Sequence, residues 1–357
     1  MDLKSWSLLV SRSDVACGDV RAEDLRPLDE GQALLRIERL ALSANNLTYA
    51  AMGDQLGFWS LFPARPGWGC IPAWGHARVV ASRADGVDVD TLLFGLLPMS
   101  SHVVLTLRPS RIGMREISPH RARVNPVYNQ YALELQADEA ALDNKATFHP
   151  LFITSFVLAL HVLENAAFGA SEVIVLSASS KTALGLGHLL RGKLPVTGLT
   201  SSRHLGWVER LGLYHHVASY EEAGQLGQLG DGVACLVIDF SGDSAILDRM
   251  SNTLGSRCVQ VIKVGGTHGG AIEAEAMFSG PRHIEQRVRQ WGAEAFDQRL
   301  REALQRFNLA CRDEFQHQHA DGMEAMVAAY TRLVRGEQPA STLLIARPNG
   351  KAEASLS

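Results

Sequence analysis

The stretch "EVIVLSASSKTALGLGHLL", from Glu172 to Leu190, decides the fold. It opens with a continuous apolar run, which is typical of a buried parallel strand, and it ends in a helical pattern. A short polar turn joins the two. A helix that starts directly after such a strand presents unpaired N–H groups and a partial positive charge. The stretch is therefore expected to bind a phosphate group at its turn.

The turn does not carry the glycines that are usual in nucleotide-binding folds. Where Gly-x-Gly-x-x-Gly is expected, the chain reads Ala-Ser-Ser-Lys-Thr. We interpret Ser179, Ser180 and Thr182 as hydroxyl donors to a pyrophosphate, with Lys181 as a cation beside it. In the alternative interpretation the serines only cap the helix and the lysine is solvated. A P-loop is disfavoured because its glycines are absent.

The segment after the next strand predicts which dinucleotide is bound. An NAD site carries Asp or Glu at the end of the second strand, whereas an NADP site carries Arg or small polar groups there. In "VTGLTSSRHLGW" no carboxylate is present, and Ser201, Ser202 and Arg203 occupy the strand end. Hydroxyls and a guanidinium suit a 2′-phosphate. We predict NADP(H), although a capping serine followed by a surface arginine would give the same residues.

The pattern along the chain predicts two kinds of domain. From about residue 6 to 102, short apolar runs broken by Gly, Pro and Asp indicate a small β-rich domain. From about residue 151, strand-like and helix-like segments alternate, which is typical of an α/β, doubly wound parallel sheet. Periodicity leaves open whether the β-rich head and the late strand "STLLIARP" form one discontinuous domain.

Composition limits the function classes. The chain has 357 residues, of which 46% are hydrophobic and 20% charged, as in an ordinary two-domain enzyme. A net charge of −4 without a basic run argues against a nucleic-acid partner. We expect no signal segment, no membrane span and a cytoplasmic location. The five cysteines are scattered and form no C-x-x-C pair, so they indicate neither disulfides nor structural zinc.

Several motifs resemble the medium-chain dehydrogenase/reductase superfamily, on its zinc-free, quinone-oxidoreductase-like side. They are "ALSANNLTYAAMGD", "FGASEVIVLSASSKTALGLGHLL", "VTGLTSSRHLGWVERLGLYHHVASY", "VIDFSG" and "VRGEQPASTLLIARP". More narrowly, "GFWSLFPA", "PVYNQY" and "SASSKTA" resemble a branch known as a domain of unknown function. The resemblance implies a GroES-like catalytic domain over 1–145, completed by about 290–357, and a Rossmann-like domain over 146–289.

The resemblance also implies roles for individual residues. The 2′-phosphate-binding basic residue of related quinone reductases falls near Arg203, and the tyrosine that assists it falls near Tyr220. The nicotinamide is expected in the cleft between the domains, with Thr267 lining its pocket. Zinc-dependent members carry a Cys in the early loop and a Gly-His-Glu motif. This chain has no Cys there and has His76 without the Glu, so no metal site is expected.

A zinc-free reductase needs a proton donor beside the nicotinamide that delivers hydride. A tyrosine suits this role because its phenol is neutral at physiological pH. The candidates are Tyr49, which follows two asparagines in the early loop, and Tyr128 and Tyr131 in "NPVYNQY". Each of them could instead be a packing residue. Trp59 is the best candidate for the wall of an apolar acceptor pocket.

Together these features predict a zinc-free, NADPH-dependent reductase of an apolar small molecule with an activated double bond or a carbonyl. The alternative is a catalytically silent relative that binds a nucleotide or an acyl partner as a sensor or accessory protein. The expected partner is a small-molecule substrate. The oligomeric state, including a homodimer, stays open.

Overall fold

A computed structural model describes residues 4–135, 138–223, 232–264 and 277–350 of the chain. Its strands, in chain order, are β1 Lys4–Ser11, β2 Gly18–Asp24, β3 Gln32–Leu42, β4 Trp68–Gly69, β5 Pro72–Ser82, β6 Leu92–Pro98, β7 His102–Ser110, β8 Gly113–Glu116, β9 Gln130–Leu133, β10 Glu172–Leu176, β11 Val196–Thr200, β12 His216–Ser219, β13 Cys235–Asp239, β14 Cys258–Lys263, β15 Gln316–Asp321 and β16 Thr342–Arg347. Its α-helices are α1 Ala44–Ala51, α2 Glu139–Glu164, α3 Lys181–Leu190, α4 Leu205–Leu211, α5 Ser244–Leu254, α6 Gly280–Trp291, α7 Ala293–Cys311 and α8 Gly322–Val334.

The chain divides into two compact units. The first unit is Met1–Thr147 with Gln316–Ser357, and the second is Phe148–Phe315. The sequence analysis placed the second boundary near residue 289, whereas the structure places it at 315. The reason is that α7 packs within the second unit, where the ring of Phe307 lies 5.2 Å from that of Phe152 on α2.

The second unit contains a five-stranded sheet in the order β12-β11-β10-β13-β14. All of its neighbouring strands are parallel. The three central strands are buried along their whole length, which explains their continuous apolar runs. Numbered from β10, this is the 3-2-1-4-5 order of a doubly wound sheet, so the predicted α/β fold is confirmed. Ligands of such sheets bind at the carboxyl ends of the strands.

Helix α3 contains two glycines, whereas the turn before it contains none. A Cβ at Gly185 would lie 2.7 Å from the hydroxyl oxygen of Ser155, and one at Gly187 would lie 2.7 Å from the ring of Tyr214. These positions therefore need glycine so that α3 can approach its neighbours closely. The Ser155 hydroxyl also donates a hydrogen bond to the Thr182 carbonyl at 2.7 Å, which fixes α2 against the start of α3.

The first unit is built on a closed barrel. Its large sheet has the order β15-β16-β3-β5-β6-β9-β8-β7. Because β3 also pairs with β7, the six strands β3, β5, β6, β9, β8 and β7 close on themselves. A separate sheet has the order β2-β1-β4. Because β16 pairs with β3, the last strand completes the domain that the early strands begin. The sequence had left this connection open.

Helix α2 is long and apolar enough to match a membrane span by length and composition. The expectation that no segment approaches such a span is therefore wrong for this helix. In the structure, 61% of its most apolar window is buried inside the protein. Its apolar character is explained by side chains such as Phe152 and Val157, which lie in the core.

An ionic cluster fixes the start of α2 inside the first unit. Arg39 on β3 donates a hydrogen bond to Asp143 at 2.8 Å, and both side chains are almost completely buried. The other carboxylate oxygen of Asp143 lies 2.7 Å from Nε2 of His319 on β15. Arg39 also donates to the Glu139 carboxylate at 3.1 Å. The cluster thus joins β3, α2 and β15.

Candidate functional site

The turn between β10 and α3 is strained and is held by a tyrosine. Ser177 has a φ of 58°, in the left-handed region where residues other than glycine are disfavoured by roughly 1 to 2 kcal/mol. Its N–H donates a hydrogen bond to the Tyr220 hydroxyl at 2.8 Å. Such strain is typical of functional sites. Tyr220, which the sequence analysis associated with the cofactor, therefore lies at the predicted turn and supports its backbone.

The first turn of α3 places a lysine at the carboxyl edge of the sheet. Ser180 is the N-cap residue, and its hydroxyl accepts a hydrogen bond from the Ala183 N–H at 3.4 Å. Lys181 follows, with its ammonium 5.9 Å from the ring centre of Phe315. Burial lowers the pKa of Lys181 to about 8. An anion bound here would restore that pKa, so the position favours a negatively charged ligand.

A histidine connects this turn with the next one. Nδ1 of His204 lies 3.2 Å from the hydroxyl of Ser179, after β10, and 3.2 Å from that of Ser201, after β11. Burial, and then the nearby charge of Arg203, lower the pKa of His204. The sequence analysis did not select His204. The only local signal is its position three residues after Ser201.

A carboxylate also reaches the end of β11. Glu221, which follows β12, accepts a hydrogen bond from the Ser202 hydroxyl at 2.8 Å. This bond lowers the pKa of Glu221 and keeps the carboxylate ionised. Arg203 is exposed beside them. This acid was not predicted, because it follows the neighbouring strand β12 and not the strand that ends here.

The carboxylate at the end of β13 is bound within its own loop. Asp239, at the end of β13, is buried and accepts hydrogen bonds from the Ser241 N–H at 2.8 Å and from the Ser241 hydroxyl at 2.6 Å. It therefore closes its own loop, which further disfavours a P-loop magnesium site. Thr267, predicted to line the nicotinamide pocket, lies outside the described residues.

The first unit contains a cluster of aromatic side chains. The Trp74 indole donates a hydrogen bond to the Tyr49 hydroxyl at 2.7 Å, and burial raises the pKa of Tyr49 to about 12. Phe58 contacts both tyrosines of the cluster, with its ring centre 4.6 Å from that of Tyr49 and 5.1 Å from that of Tyr128. Burial, and then Tyr49, raise the pKa of Tyr128. Both phenols therefore stay protonated at neutral pH.

Tyr131 and Trp59 occupy packing positions. Tyr131 is fully buried, donates its proton to the Leu96 carbonyl at 2.7 Å and accepts a hydrogen bond from Arg121 at 3.1 Å. The hydroxyl proton of Tyr131 is thus used in a hydrogen bond inside the barrel and is not available to a substrate. Trp59 is 4% exposed, and a Cβ at Gly53 would lie 2.1 Å from its ring. Trp59 therefore belongs to the core and is not a pocket wall.

His76 is a buried residue with an acidic neighbour that the local sequence does not show. Its Nε2 lies 3.3 Å from a carboxylate oxygen of Glu134, and that oxygen accepts a hydrogen bond from Lys145 at 2.6 Å. Burial lowers the pKa of His76. Within the part of the chain that the structure describes, no group of three or more His, Cys, Asp or Glu side chains is arranged so that it could hold a metal ion. The ammonium of Lys145 therefore balances the charge of the Glu134 carboxylate that contacts His76.

Solved structures share this fold at low sequence identity. CurA from Vibrio vulnificus is 12% identical, with 97% of this chain and 99% of that chain covered and a TM-score of 0.62. CurA in complex with NADPH, from the same organism, is 10% identical, with 96% and 99% covered and a TM-score of 0.62. A thermostable alcohol dehydrogenase from Pyrobaculum aerophilum is 12% identical, with 97% and 100% covered and a TM-score of 0.57. These similarities confirm the medium-chain dehydrogenase/reductase fold, with its Rossmann-type sheet and GroES-like β-rich domain.

The sequence comparison identifies the family of the chain. No curated protein matches the chain. Residues 40–339 match the family model described as "Protein of unknown function (DUF2855)". Because this match covers most of the 357 residues, the chain belongs to the DUF2855 family.

Proposed function

We propose that this protein is an NADPH-dependent reductase of an apolar small molecule with an activated double bond or a carbonyl. The observation that carries the proposal is the meeting of hydroxyl, imidazole and ammonium groups at the carboxyl edge of the parallel sheet. A structure of the same fold, CurA, has been solved with NADPH, which supports the choice of cofactor. On this proposal the second unit binds the dinucleotide, the first unit is the catalytic domain, and the protein acts in the cytoplasm.

The donor set at this edge fits a dinucleotide phosphate. Ser179, Ser180 and Thr182 lie at the start of a helix that follows a buried strand, where N–H groups and the helix dipole favour an anion. Lys181 has lost water around its ammonium and gains most from a negatively charged ligand. We assign these four residues to the pyrophosphate, where side-chain donors take the place of the missing glycines.

The end of β11 is assigned to the 2′-phosphate. Ser201, Ser202 and Arg203 supply two hydroxyls and a guanidinium, and the Tyr220 hydroxyl holds the neighbouring turn. Arginine binds phosphate through paired, charge-assisted hydrogen bonds. Glu221 opposes the binding of a phosphate at this place, because its carboxylate is ionised and already accepts the hydrogen bond of the Ser202 hydroxyl. Coenzyme choice therefore depends on the balance between Arg203 and Glu221.

The aromatic cluster of the first unit is assigned to the substrate. NADPH, when bound, supplies hydride, and the protein must orient the acceptor and provide a proton. Tyr128 is partly exposed and its phenol stays protonated, so it can donate to an oxygen on which charge develops. Tyr49 accepts the Trp74 N–H and stays protonated at neutral pH, because burial raises its pKa to about 12. Phe58 and Trp74 offer apolar ring surface to a flat substrate.

We further propose that the reaction needs no zinc. The early loop forms α1 and contains asparagine, threonine and tyrosine in place of cysteine. His76 is paired with Glu134, whose charge is matched by Lys145. These side chains do not form a set of free zinc ligands.

Coenzyme choice gives a direct test. Arg203→Ala is expected to weaken NADPH binding by about tenfold and to leave NADH binding nearly unchanged, because one charge-assisted phosphate contact is lost. Glu221→Gln is expected to strengthen NADPH binding, because it removes an opposing charge. Titration calorimetry with both coenzymes measures these effects. Equal losses for NADPH and NADH in Arg203→Ala would show that Arg203 does not bind the 2′-phosphate.

A second test concerns the proton donor. Tyr128→Phe is expected to lower kcat by about 100-fold, the lower end for general acid catalysis, with the Kd for NADPH unchanged. The loss of NADPH absorbance is followed with a panel of enones and quinones. Tyr131→Phe is the matched control, because that hydroxyl is bonded inside the barrel. Tyr131→Phe is expected to lower the stability of the protein and to leave kcat unchanged. A full rate in Tyr128→Phe would remove Tyr128 from the mechanism.

One observation favours a second candidate function, a silent relative that binds a nucleotide as a sensor or accessory protein. The positions where glycine normally allows close approach of a pyrophosphate are filled by Ser180 and Lys181, and Ser177 is strained without being glycine. Under this alternative NADPH binds, but its absorbance stays constant with every acceptor. Oxidation of NADPH by any member of the panel contradicts it.

A further inference from the structure

His204 is placed to respond to charge at the 2′-phosphate subsite. It is the N-cap residue of α4, but its side chain makes no capping hydrogen bond there. Its Nδ1 lies 3.2 Å from the hydroxyl of Ser179 and 3.2 Å from that of Ser201, and these serines end two neighbouring strands. The adenosine ribose of a dinucleotide lies above this pair of strand ends in doubly wound folds. The inference therefore rests on the proposed function.

The protonation state of the ring sets the direction of these hydrogen bonds. A serine hydroxyl that donates to Nδ1 requires the neutral imidazole, with its proton on Nε2. On protonation, Nδ1 becomes a donor, and a serine hydroxyl can turn to accept from it. Both serine hydroxyls then have their own protons free to donate to a phosphate. Protonation of His204 thus adds a positive charge and also frees the hydroxyl proton that had been donated to Nδ1.

The surrounding charges set the direction of the response. Burial, and then the charge of Arg203, oppose protonation of His204 and lower its pKa. The carboxylate of Glu221, after β12, is engaged with Ser202. Lys181 stands at the start of α3. A phosphate dianion between Arg203 and His204 would reverse the balance and raise this pKa.

We propose that His204 is a specificity residue that takes up a proton when the 2′-phosphate of NADPH binds. NADH, which carries a 2′-hydroxyl, gives no such uptake. The sign follows from the shift: a group whose pKa is higher in the complex strengthens binding at low pH, and this contribution is lost as the pH rises through the pKa of the complex. The preference for NADPH over NADH therefore decreases from about pH 6 to about pH 8, around the ordinary imidazole value.

The test is titration calorimetry with NADPH and NADH, at several pH values and in two buffers of different ionisation enthalpy. In the wild-type protein, NADPH binding is expected to take up a fraction of a proton, and the ratio of NADPH to NADH affinity is expected to fall at least about fivefold across this range. In His204→Gln, whose amide can still bond the serines, the proton uptake should be absent, and the affinity ratio should keep only the change that comes from titration of the 2′-phosphate. The 2′-phosphate itself titrates near pH 6, but equally in both proteins. His216→Gln, at an exposed histidine on β12, is the matched control.

The outcomes separate this inference from the proposed function. Proton uptake that persists in His204→Gln, or that accompanies NADH equally, overturns the role of His204 and leaves the reductase proposal intact. No binding of either coenzyme to the wild-type protein overturns both. If His204→Gln does not fold, NMR titration of the His204 ring protons in the wild-type protein decides. The His204 pKa should rise on addition of NADPH and stay unchanged with NADH, and an unchanged pKa with NADPH contradicts the proposal.

Discussion

Replacing Lys181 with methionine is expected to lower NADPH affinity by at least about tenfold. On the proposed function, the ammonium is the charge with which the turn between β10 and α3 would hold a pyrophosphate, and a charge-assisted hydrogen bond contributes about 1.5 to 3 kcal/mol. A tenfold change in Kd corresponds to about 1.4 kcal/mol. The change keeps side-chain length and helix propensity, so titration calorimetry reports the loss of charge.

The same variant is expected to keep or raise the melting temperature of the ligand-free protein. Burial lowers the pKa of Lys181 from 10.5 to about 8, which means that holding the charge in the folded state at pH 7 costs free energy of folding. Lys193→Met, at an exposed lysine after α3, is the control and should leave NADPH affinity unchanged. If Lys181→Met binds NADPH like the wild-type protein, the lysine is a solvated helix residue and the assignment of the turn is wrong.

Replacing Asp143 with alanine is expected to reduce the free energy of unfolding of the first unit by about 3 to 5 kcal/mol. Arg39 would keep its charge in a buried place after losing its closest partner, at 2.8 Å, and the removal of one member of a buried ion pair has effects of this size. His319 would lose its 2.7 Å contact as well. Urea unfolding measures the loss.

Asp138→Ala is the matched control for this change. The Asp138 side chain is exposed and accepts a hydrogen bond from the Ala141 N–H at 2.7 Å, at the start of the same helix. The loss of such a cap costs about 1 kcal/mol. Equal destabilisation by Asp143→Ala and Asp138→Ala would mean that the buried cluster contributes no more than an ordinary helix cap.

The fold was predictable because its signals are local. The apolar runs of β10, β11 and β13 are continuous because these strands are buried on both faces, and the helices between them carry their own periodicity. The closure of the barrel was not predictable in this way. It depends on the pairing of β3 with β7. The completion of the domain depends on the pairing of β16 with β3, which joins residues from opposite ends of the chain.

The candidate site was predictable only in part. Ser179, Lys181 and Arg203 follow their strands directly, so the position of a strand end was enough to select them. His204 and Glu221 were missed because their contacts join separate strand ends. Ser179 and His204, for example, are separated by 25 positions in the sequence. Tyr131 shows the opposite error. Its sequence surroundings resemble those of Tyr128, and only the packing shows that its hydroxyl is bonded inside the barrel.

The most direct test of the account is calorimetric titration of the purified protein with NADPH and with NADH at neutral pH. The account predicts one NADPH bound per chain, with an affinity at least about tenfold higher than that for NADH, since the 2′-phosphate gains a charge-assisted contact that a hydroxyl does not. Equal affinity for the two coenzymes would contradict the assignment of Ser201, Ser202 and Arg203. The absence of NADPH binding would contradict the proposed reductase itself.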